Sequence, residues 1–428
     1  MSHQTPTSVC LLRLSALGDC INAFGLACAL KRQHPQLELL WLIDRRFASL
    51  FRRPDGSDLI PLLCADFKTS GTAAAALSVR RALRGRRFDC LLDLQTSLKA
   101  SVCAFFIQAG VKYGYDRQRG REGQGLFVDK KVPSPTNPHV LAGFMAFAAA
   151  AGLGELKPYW DFELAESELA ACRELLPPGK IFTIAPASAK AAKNWTPKGY
   201  AALAAYAQSQ GFHTVLAGSA DPAELQLCST VNQLCRGSCL NLCGKTSLRG
   251  LAALLKLSNL VLSPDSASMH LASALHTPVI GLFAIHDPRR VGAWNYPELG
   301  VSVYARLAAK ERGPGRPLPW RYRVLDPNAM QQLDPAAVKA AFDLACRKYL
   351  PDSSSQISGN STAAASEVDV PAVRPQKEGS AAAPRQGASA ATDTAPAPAD
   401  PSADANAPAD ADANVPAAAD AALEESKK

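Results

Sequence analysis

Three short stretches hold the residues of this chain whose types and spacing could do chemistry. In LLRLSALGDCINAF (11–24), Arg13 and Asp19 interrupt a run that otherwise reads as buried core. In IAPASAKAAKNW (184–195), Ser188, Lys190 and Lys193 trail an apolar strand and precede Trp195. In LSPDSASMHLASA (262–274), Asp265-Ser266-Ala267 follows another strand and opens a helix with His270 in its first turn. Amide N–H groups at such a helix start carry the positive end of the helix dipole. With a hydroxyl and a lysine opposite, they could hold a diphosphate through protein groups alone. Taken singly, each stretch reads as readily as an ordinary helix cap.

Other phosphate-binding devices are excluded by spacing. A dinucleotide fold would place G-x-G-x-x-G after its first strand, where this chain has S-A-L-G-D. A P-loop needs a glycine five residues before Gly244-Lys245-Thr246, and that residue is Cys239. Residues 1–351 also lack the Asp-x-Asp with which metal-dependent sugar transferases hold a diphosphate. Of the twelve cysteines, most sit singly among Ala and Leu as small hydrophobes. Cys228, Cys235, Cys239 and Cys243 do cluster, but without the paired C-x-x-C spacing of a zinc knuckle, so free buried thiols are favoured over a metal site.

The elements that must position these residues follow from the hydrophobic pattern. Apolar runs alternate with helical periodicity, the signature of parallel βαβ units. Strands are expected near 9–14, 37–43, 88–94 and 111–115, with helices near 19–33, 73–84, 97–109 and 139–151. After Pro177-Pro178-Gly179 the pattern restarts: strands near 181–185, 213–217, 259–262 and 279–283, and helices near 199–208, 223–234, 248–255 and 267–275. A helix over 334–350 closes the folded part. The fold class is therefore α/β, two doubly wound units facing a cleft, and ligands of such sheets bind at the carboxyl ends of strands. Domain limits fall at 1–163 and 164–333, with the last helix at 334–351. From residue 352 onward the text is Ala, Pro, Ser and Asp with almost no large apolar side chain, so residues 352–428 are expected to be disordered.

That tail holds 12 acidic and 5 basic residues, so residues 1–351 carry a net charge of +15. The basic residues cluster in RRALRGRRFD (80–89), DRQRGRE (116–122) and RLAAKERGPGRPLPWRYR (306–323). Such a surface attracts nucleotide, nucleic-acid or lipid phosphates without choosing among them. No aromatic-interleaved RNA or DNA module accompanies it, so nucleic acid is not an expected partner. No run reaches the ~18 apolar residues of a membrane span, and the first residues do not read as a secretory signal. A cytoplasmic location is expected.

LLRLSALGD, APASAKAAKNW and LSPDSASMHLASALHTPVIGLF together resemble the family 9 glycosyltransferases, best known for the ADP-heptose:lipopolysaccharide heptosyltransferases. The resemblance covers nearly all of residues 8–350. DLQTSLKAS (93–101), GREGQGLF (120–127) and PHVLAGFMAFA (138–148) are similar to a Haemophilus-type heptosyltransferase I subgroup. The resemblance implies a GT-B fold of two Rossmann-like domains, an N-terminal one for acceptor and a C-terminal one for nucleotide sugar, with the last helix returning to the N-terminal domain. It also implies inverting, metal-independent transfer of heptose from ADP-L-glycero-D-manno-heptose to Kdo of a Kdo-lipid A acceptor, phosphorylated or not, with no cofactor.

An inverting displacement needs one base for the acceptor hydroxyl and positive charge for the departing diphosphate. Asp19 is the implied base, with Gly18 letting the chain turn and a helix starting at Asp19 keeping the carboxylate ionised. Lys193 is the implied cation. Ser188, Lys190, Thr246, Ser266 and Ala267 join it on the donor side, with Asp265 accepting from heptose hydroxyls, His270 orienting the donor or the loop, and Glu224 or Asp221 in GSADPAELQ holding the ribose. Lys99, Arg117, Arg119 and Arg121 are the implied acceptor ligands, and the basic face would bring the protein to anionic inner-membrane lipid. The family pattern is broken at Ala189, at Ala267 and in FAIHDPRRVGAW (283–294), where G-x-T-D-P-x-x-x-G-P is usual. Three other readings stay open: another donor or core acceptor, as in heptosyltransferases II and III; a non-catalytic nucleotide-sugar-binding relative; and, least supported, nucleic-acid binding.

Overall fold

Strands β1 (Ser8–Leu12), β2 (Glu38–Asp44), β3 (Leu62–Ala65), β4 (Arg87–Asp93), β5 (Gln108–Tyr115) and β6 (Lys130–Val132) form one parallel sheet in the order 3-2-1-4-5-6. Strands β7 (Lys180–Ile184), β8 (Phe212–Leu216), β9 (Leu240–Asn241), β10 (Leu260–Pro264), β11 (Val279–Phe283) and β12 (Gly300–Ser302) form a second with the same relative order, 9-8-7-10-11-12. The computed structural model describes residues 5–350, and the expected disorder of 352–428 lies outside them. Within this range no helix is long and apolar enough to cross a membrane.

The near-continuous apolar runs of β1, β10 and β11 follow from their central places, where helices cover both faces. Four strands escaped the sequence pattern. β3, β6, β9 and β12 are two to four residues long and lie at or next to a sheet edge, too short for any periodicity to register. The helix expected over 97–109 stops at Phe106, because Gln108 onward pairs with β4. Part of the third basic cluster is a helix, Tyr304–Arg312.

Helix starts in the second half repeat one device. Thr196, Asp221, Asp287 and Asp334 each accept a backbone N–H of the following first turn, and a proline comes next. Proline is pre-set for that position and has no N–H to leave unsatisfied.

The two sheets are joined by more than the linker. Helix Leu17–Gln33 of the first packs against helix Ala267–Ala274 of the second. Trp160 in the linker donates to the Ile21 carbonyl at 2.7 Å and covers Gly25, where a Cβ would lie 2.6 Å from its ring. Arg249 donates to Glu168 and to the Arg52 and Glu163 carbonyls.

The last helix, Pro335–Tyr349, departs from expectation. It packs on the C-terminal sheet rather than returning to the N-terminal domain. Phe342 meets Phe182, Tyr206 and Phe212, and Tyr206 donates to Asp343 at 2.6 Å. These aromatics give its apolar face a complete partner there. The crossing back is made by a loop instead, in which Trp320 donates to the Pro138 carbonyl at 2.8 Å.

Candidate active site

Each sheet reverses direction beside its first strand, between β1 and β4 and between β7 and β10. Crevices open at the carboxyl ends of strands at such switch points. β1 ends just before Arg13, β7 shortly before Ser188, and β10 directly before Asp265. All three stretches that could do chemistry therefore sit at switch points, and the packing of helices Leu17–Gln33 and Ala267–Ala274 turns two of them toward one another.

Asp19 does not cap its helix. The helix begins at Leu17, two residues earlier than expected, with Ala16 at the cap position. Asp19 stands in the first turn, where the helix dipole favours a carboxylate. Its Oδ2 is paired with Arg13, and its Oδ1 has no hydrogen-bond partner among the described residues. Arg13 is fixed in turn by donating to the Leu94 carbonyl at 2.6 Å, while Trp41 donates to Arg13's own carbonyl at 3.0 Å. Gly18 also has a different purpose from the expected turn. A Cβ there would lie 2.7 Å from Cδ2 of His270, so glycine is what lets the two helices approach.

Across the cleft, Asp265 organises the donor side. Lys193 donates to its carbonyl at 2.7 Å and to Oδ2 at 3.2 Å, and Ser188 Oγ donates to the same carbonyl at 3.1 Å. His286 Nδ1 meets Oδ2 at 2.7 Å. Burial alone would raise the Asp265 carboxyl, but the Lys193 charge and the His286 hydrogen bond overcome it and hold the group well below the usual carboxylate range. An ammonium has three N–H donors; two of Lys193's are directed at Asp265, which leaves one for a ligand. Ser266 is at the cap position of helix Ala267–Ala274, yet its hydroxyl pairs with Ser263 at 2.7 Å and caps nothing. The first-turn amides at Ala267 are thus left without a side-chain cap.

His270 is within electrostatic reach of both carboxylates. Burial lowers its pKa, while Asp265 and Asp19 both pull it up and Lys193 adds to the lowering. Asp19 and Asp265 thus act on one imidazole from opposite halves of the protein. A second histidine, His139, links the halves directly: Nε2 donates to the Gly292 carbonyl at 3.0 Å and Nδ1 accepts from Leu141 at 3.0 Å. Those partners fix the neutral tautomer, and burial pushes its pKa down to about 4.

The remaining expected residues divide. Asp221 caps helix Pro222–Leu234, whereas the Glu224 carboxylate accepts from Ser219 at 2.6 Å in the loop after β8, which leaves Glu224 as the ribose candidate. Thr246 follows β9 on the adjoining loop, which is tied to the first by Gly244 donating to the Gly218 carbonyl at 3.0 Å. Lys190 is exposed at the start of the turn Ala191–Lys193. Lys99 stands at the start of helix Leu98–Phe106 over the Phe67 ring, and Arg117 and Arg121 are exposed nearby in sequence. Arg119 is the correction. It is 1% exposed, paired with Asp116 at 2.8 Å, donates to the Val132 carbonyl and stacks over Tyr115. Its guanidinium is used inside the fold and is not a surface ligand. Among the clustered cysteines, Cys228 pairs with Cys243 and Cys235 with Cys239, and no group of three metal-ligating residues occurs among the described residues.

From sequence, no role followed for His139, His286, Arg290 and Arg321, nor for Arg13 beyond its place among the residues that could do chemistry. Arg13 was visible as a charge inside an apolar run. His286 and Arg290 both stand in FAIHDPRRVGAW, where the family pattern breaks.

A family model described as "Glycosyltransferase family 9 (heptosyltransferase)" matches residues 76–318. The chain is 36% identical over 332 residues to the lipopolysaccharide core heptosyltransferase OpsX of Haemophilus influenzae, covering 77% of this chain and 94% of that protein. It is 27% identical to lipopolysaccharide heptosyltransferase 2 of Salmonella typhimurium, over 64% of this chain and 82% of the relative. The structure of E. coli heptosyltransferase WaaC with ADP superposes with a TM-score of 0.59 at 20% identity, over 79% of this chain and 99% of that one. The shared architecture is GT-B.

Proposed function

This chain belongs to glycosyltransferase family 9, and on that premise we propose that it is a heptosyltransferase of lipopolysaccharide core assembly. It transfers heptose from ADP-L-glycero-D-manno-heptose to Kdo of a Kdo-lipid A acceptor with inversion. One observation carries the proposal: a first-turn carboxylate, Asp19, and a lysine-held donor corner, Lys193 on Asp265, both bear on His270 from opposite halves of the molecule.

The chemistry follows from those positions. Arg13 orients Asp19 through Oδ2, so Oδ1 takes the proton of the acceptor hydroxyl as it attacks the anomeric carbon. The C1–O bond to the diphosphate breaks on the opposite face. The remaining Lys193 N–H and the amides opening helix Ala267–Ala274 stabilise the charge that develops on ADP, while the Ser188 hydroxyl, donating to the Asp265 carbonyl, helps to hold that corner in place. Asp265 keeps Lys193 in place, and Glu224 receives the ribose. ADP is a good enough leaving group that these protein cations and dipoles serve in place of a divalent ion, so turnover is expected to survive chelation.

Peripheral contact with the anionic cytoplasmic face of the inner membrane belongs to the same proposal. Leu98, Phe105 and Leu126 are 56%, 65% and 86% exposed on the N-terminal half, beside Lys99 and Arg121 in sequence. Exposed apolar groups among basic residues suit a lipid surface.

The deciding experiment is mass spectrometry of products from ADP-heptose with phosphorylated and unphosphorylated Kdo-lipid A, with and without EDTA. A product heavier by one heptose is expected. Transfer only onto an acceptor that already bears heptose would move the protein to the type represented by the Salmonella relative.

A further inference from the structure

Three guanidinium groups lie within electrostatic reach of Asp19, with too little negative charge among them. Arg13 is paired with Asp19. Arg290 lies on the short helix Pro288–Val291, and Arg321 on the loop that crosses back to the N-terminal half. The Asp19 charge acts on both Arg290 and Arg321, and Arg13 and Arg290 in turn repel Arg321. In each of the three, Nε is buried with no hydrogen-bond partner among the described residues. A buried donor left unsatisfied is costly, and buried like charges more so.

The group is built rather than adventitious. Two of its members lie over the Trp320 ring, Arg290 at 5.2 Å and Arg321 at 5.1 Å from the centroid. Trp320 is anchored to the Pro138 carbonyl, and Arg321 donates to Thr96 Oγ1 and to the Arg119 carbonyl, both at 3.2 Å. Asp265 and Asp287 also act on Arg290, but Lys193 and His286 already occupy the first and Arg289 the second. Among the described residues, Asp19 is thus the one carboxylate in an ion pair with these three cations.

We propose that Arg13, Arg290 and Arg321 form a subsite for the carboxylate or phosphate of an acidic acceptor sugar, holding that anion next to the hydroxyl that Asp19 deprotonates. The guanidinium fork matches such planar or tetrahedral anions with two parallel hydrogen bonds. The assignment rests on the transferase reading above. It concerns residues from the C-terminal half that the sequence motifs did not single out.

The test uses equilibrium binding, so it does not depend on turnover. Affinities of the full-length protein for a Kdo methyl glycoside, for a neutral glycoside of the same size and for ADP are measured by calorimetry. The same titrations are run on Arg290→Gln, Arg321→Gln and the charge-retaining Arg290→Lys and Arg321→Lys, with melting curves to verify folding. The expected result is a tenfold or greater loss of Kdo glycoside affinity in the Gln variants, a smaller loss in the Lys variants, and ADP affinity within twofold of the parent. Unchanged Kdo glycoside affinity overturns the subsite. A loss falling on ADP instead also overturns it, because the anion would then be the donor diphosphate. If a different sugar acid or sugar phosphate binds with the same arginine dependence while the Kdo glycoside does not, the subsite stands and the proposed acceptor falls.

Discussion

Replacing Gly18 with alanine tests whether the two halves meet as described. The added methyl would lie 2.7 Å from Cδ2, 3.4 Å from Nε2 and 3.5 Å from Cγ of His270. Ordinary carbon contacts begin near 3.5 Å, so ring and helix must separate by about 0.8 Å. His270 is confined between two packed helices and does not swing freely aside. Overpacking of this size costs about 1–3 kcal/mol, while alanine in a helix returns about 0.5–1 kcal/mol over glycine. The net loss of stability is therefore about 0–2 kcal/mol, small enough to leave a folded protein. The rate is the sharper measure, because a shift near 1 Å between reacting groups costs on the order of 10²-fold. Urea titrations and steady-state ADP release would be recorded for Gly18→Ala, His270→Ala and the double variant. Removing the ring should restore the stability lost to the methyl, with a coupling of about 1–2 kcal/mol. A Gly18→Ala enzyme with parental kcat/KM and no coupling to His270 would refute the close approach of the halves at this point.

Other outcomes follow from single groups. Asp19→Asn keeps the hydrogen bond to Arg13 but removes the base, so kcat should fall by about 10²–10⁴-fold with ADP affinity nearly unchanged; parental turnover would remove Asp19 from the mechanism. Asp93 is fully buried, and burial raises its carboxyl to about 7 against local hydrogen bonds, with Oδ2 unpartnered. The native state then holds a proton that the unfolded chain releases near 3.8, so stability declines as pH rises from about 4 through 7. Asp93→Asn should gain on the order of 3–4 kcal/mol at pH 8 and almost nothing at pH 4, by urea midpoints; equal gains at both would contradict the assignment. His139 has the opposite sign. The unfolded chain takes up a proton near 6.5 and the native state only near 4, so stability falls as pH drops through that interval, by up to about 3 kcal/mol. His139→Gln should flatten that slope, which the same titrations at pH 7 and pH 5 would reveal.

Much of the fold was legible because parallel strands buried on both faces announce themselves as apolar runs. β1, β7 and β10 could be placed within a residue or two, and the residues following them with it. The short strands β3, β6, β9 and β12 could not, since pairing with a neighbour rather than local pattern makes them strands. Arg119 shows the same limit from the other side: in sequence it is one of several loop arginines, and only the fold wraps Asp116, Tyr115 and Val132 around it.

By itself, the sequence determined two doubly wound halves, the family, and the delivery of Asp19, Ser188 and Asp265 to strand ends, because hydrophobic period and strand-end position are local properties. Tertiary structure alone decided that Gly18 exists to admit His270, that Lys193 stands on Asp265 with His286 beside it, and that Arg290 and Arg321 join Arg13. Those relations depend on Coulomb interaction and steric contact between atoms far apart along the chain. Such distances come into being only when each sheet assembles and the two halves pack on one another.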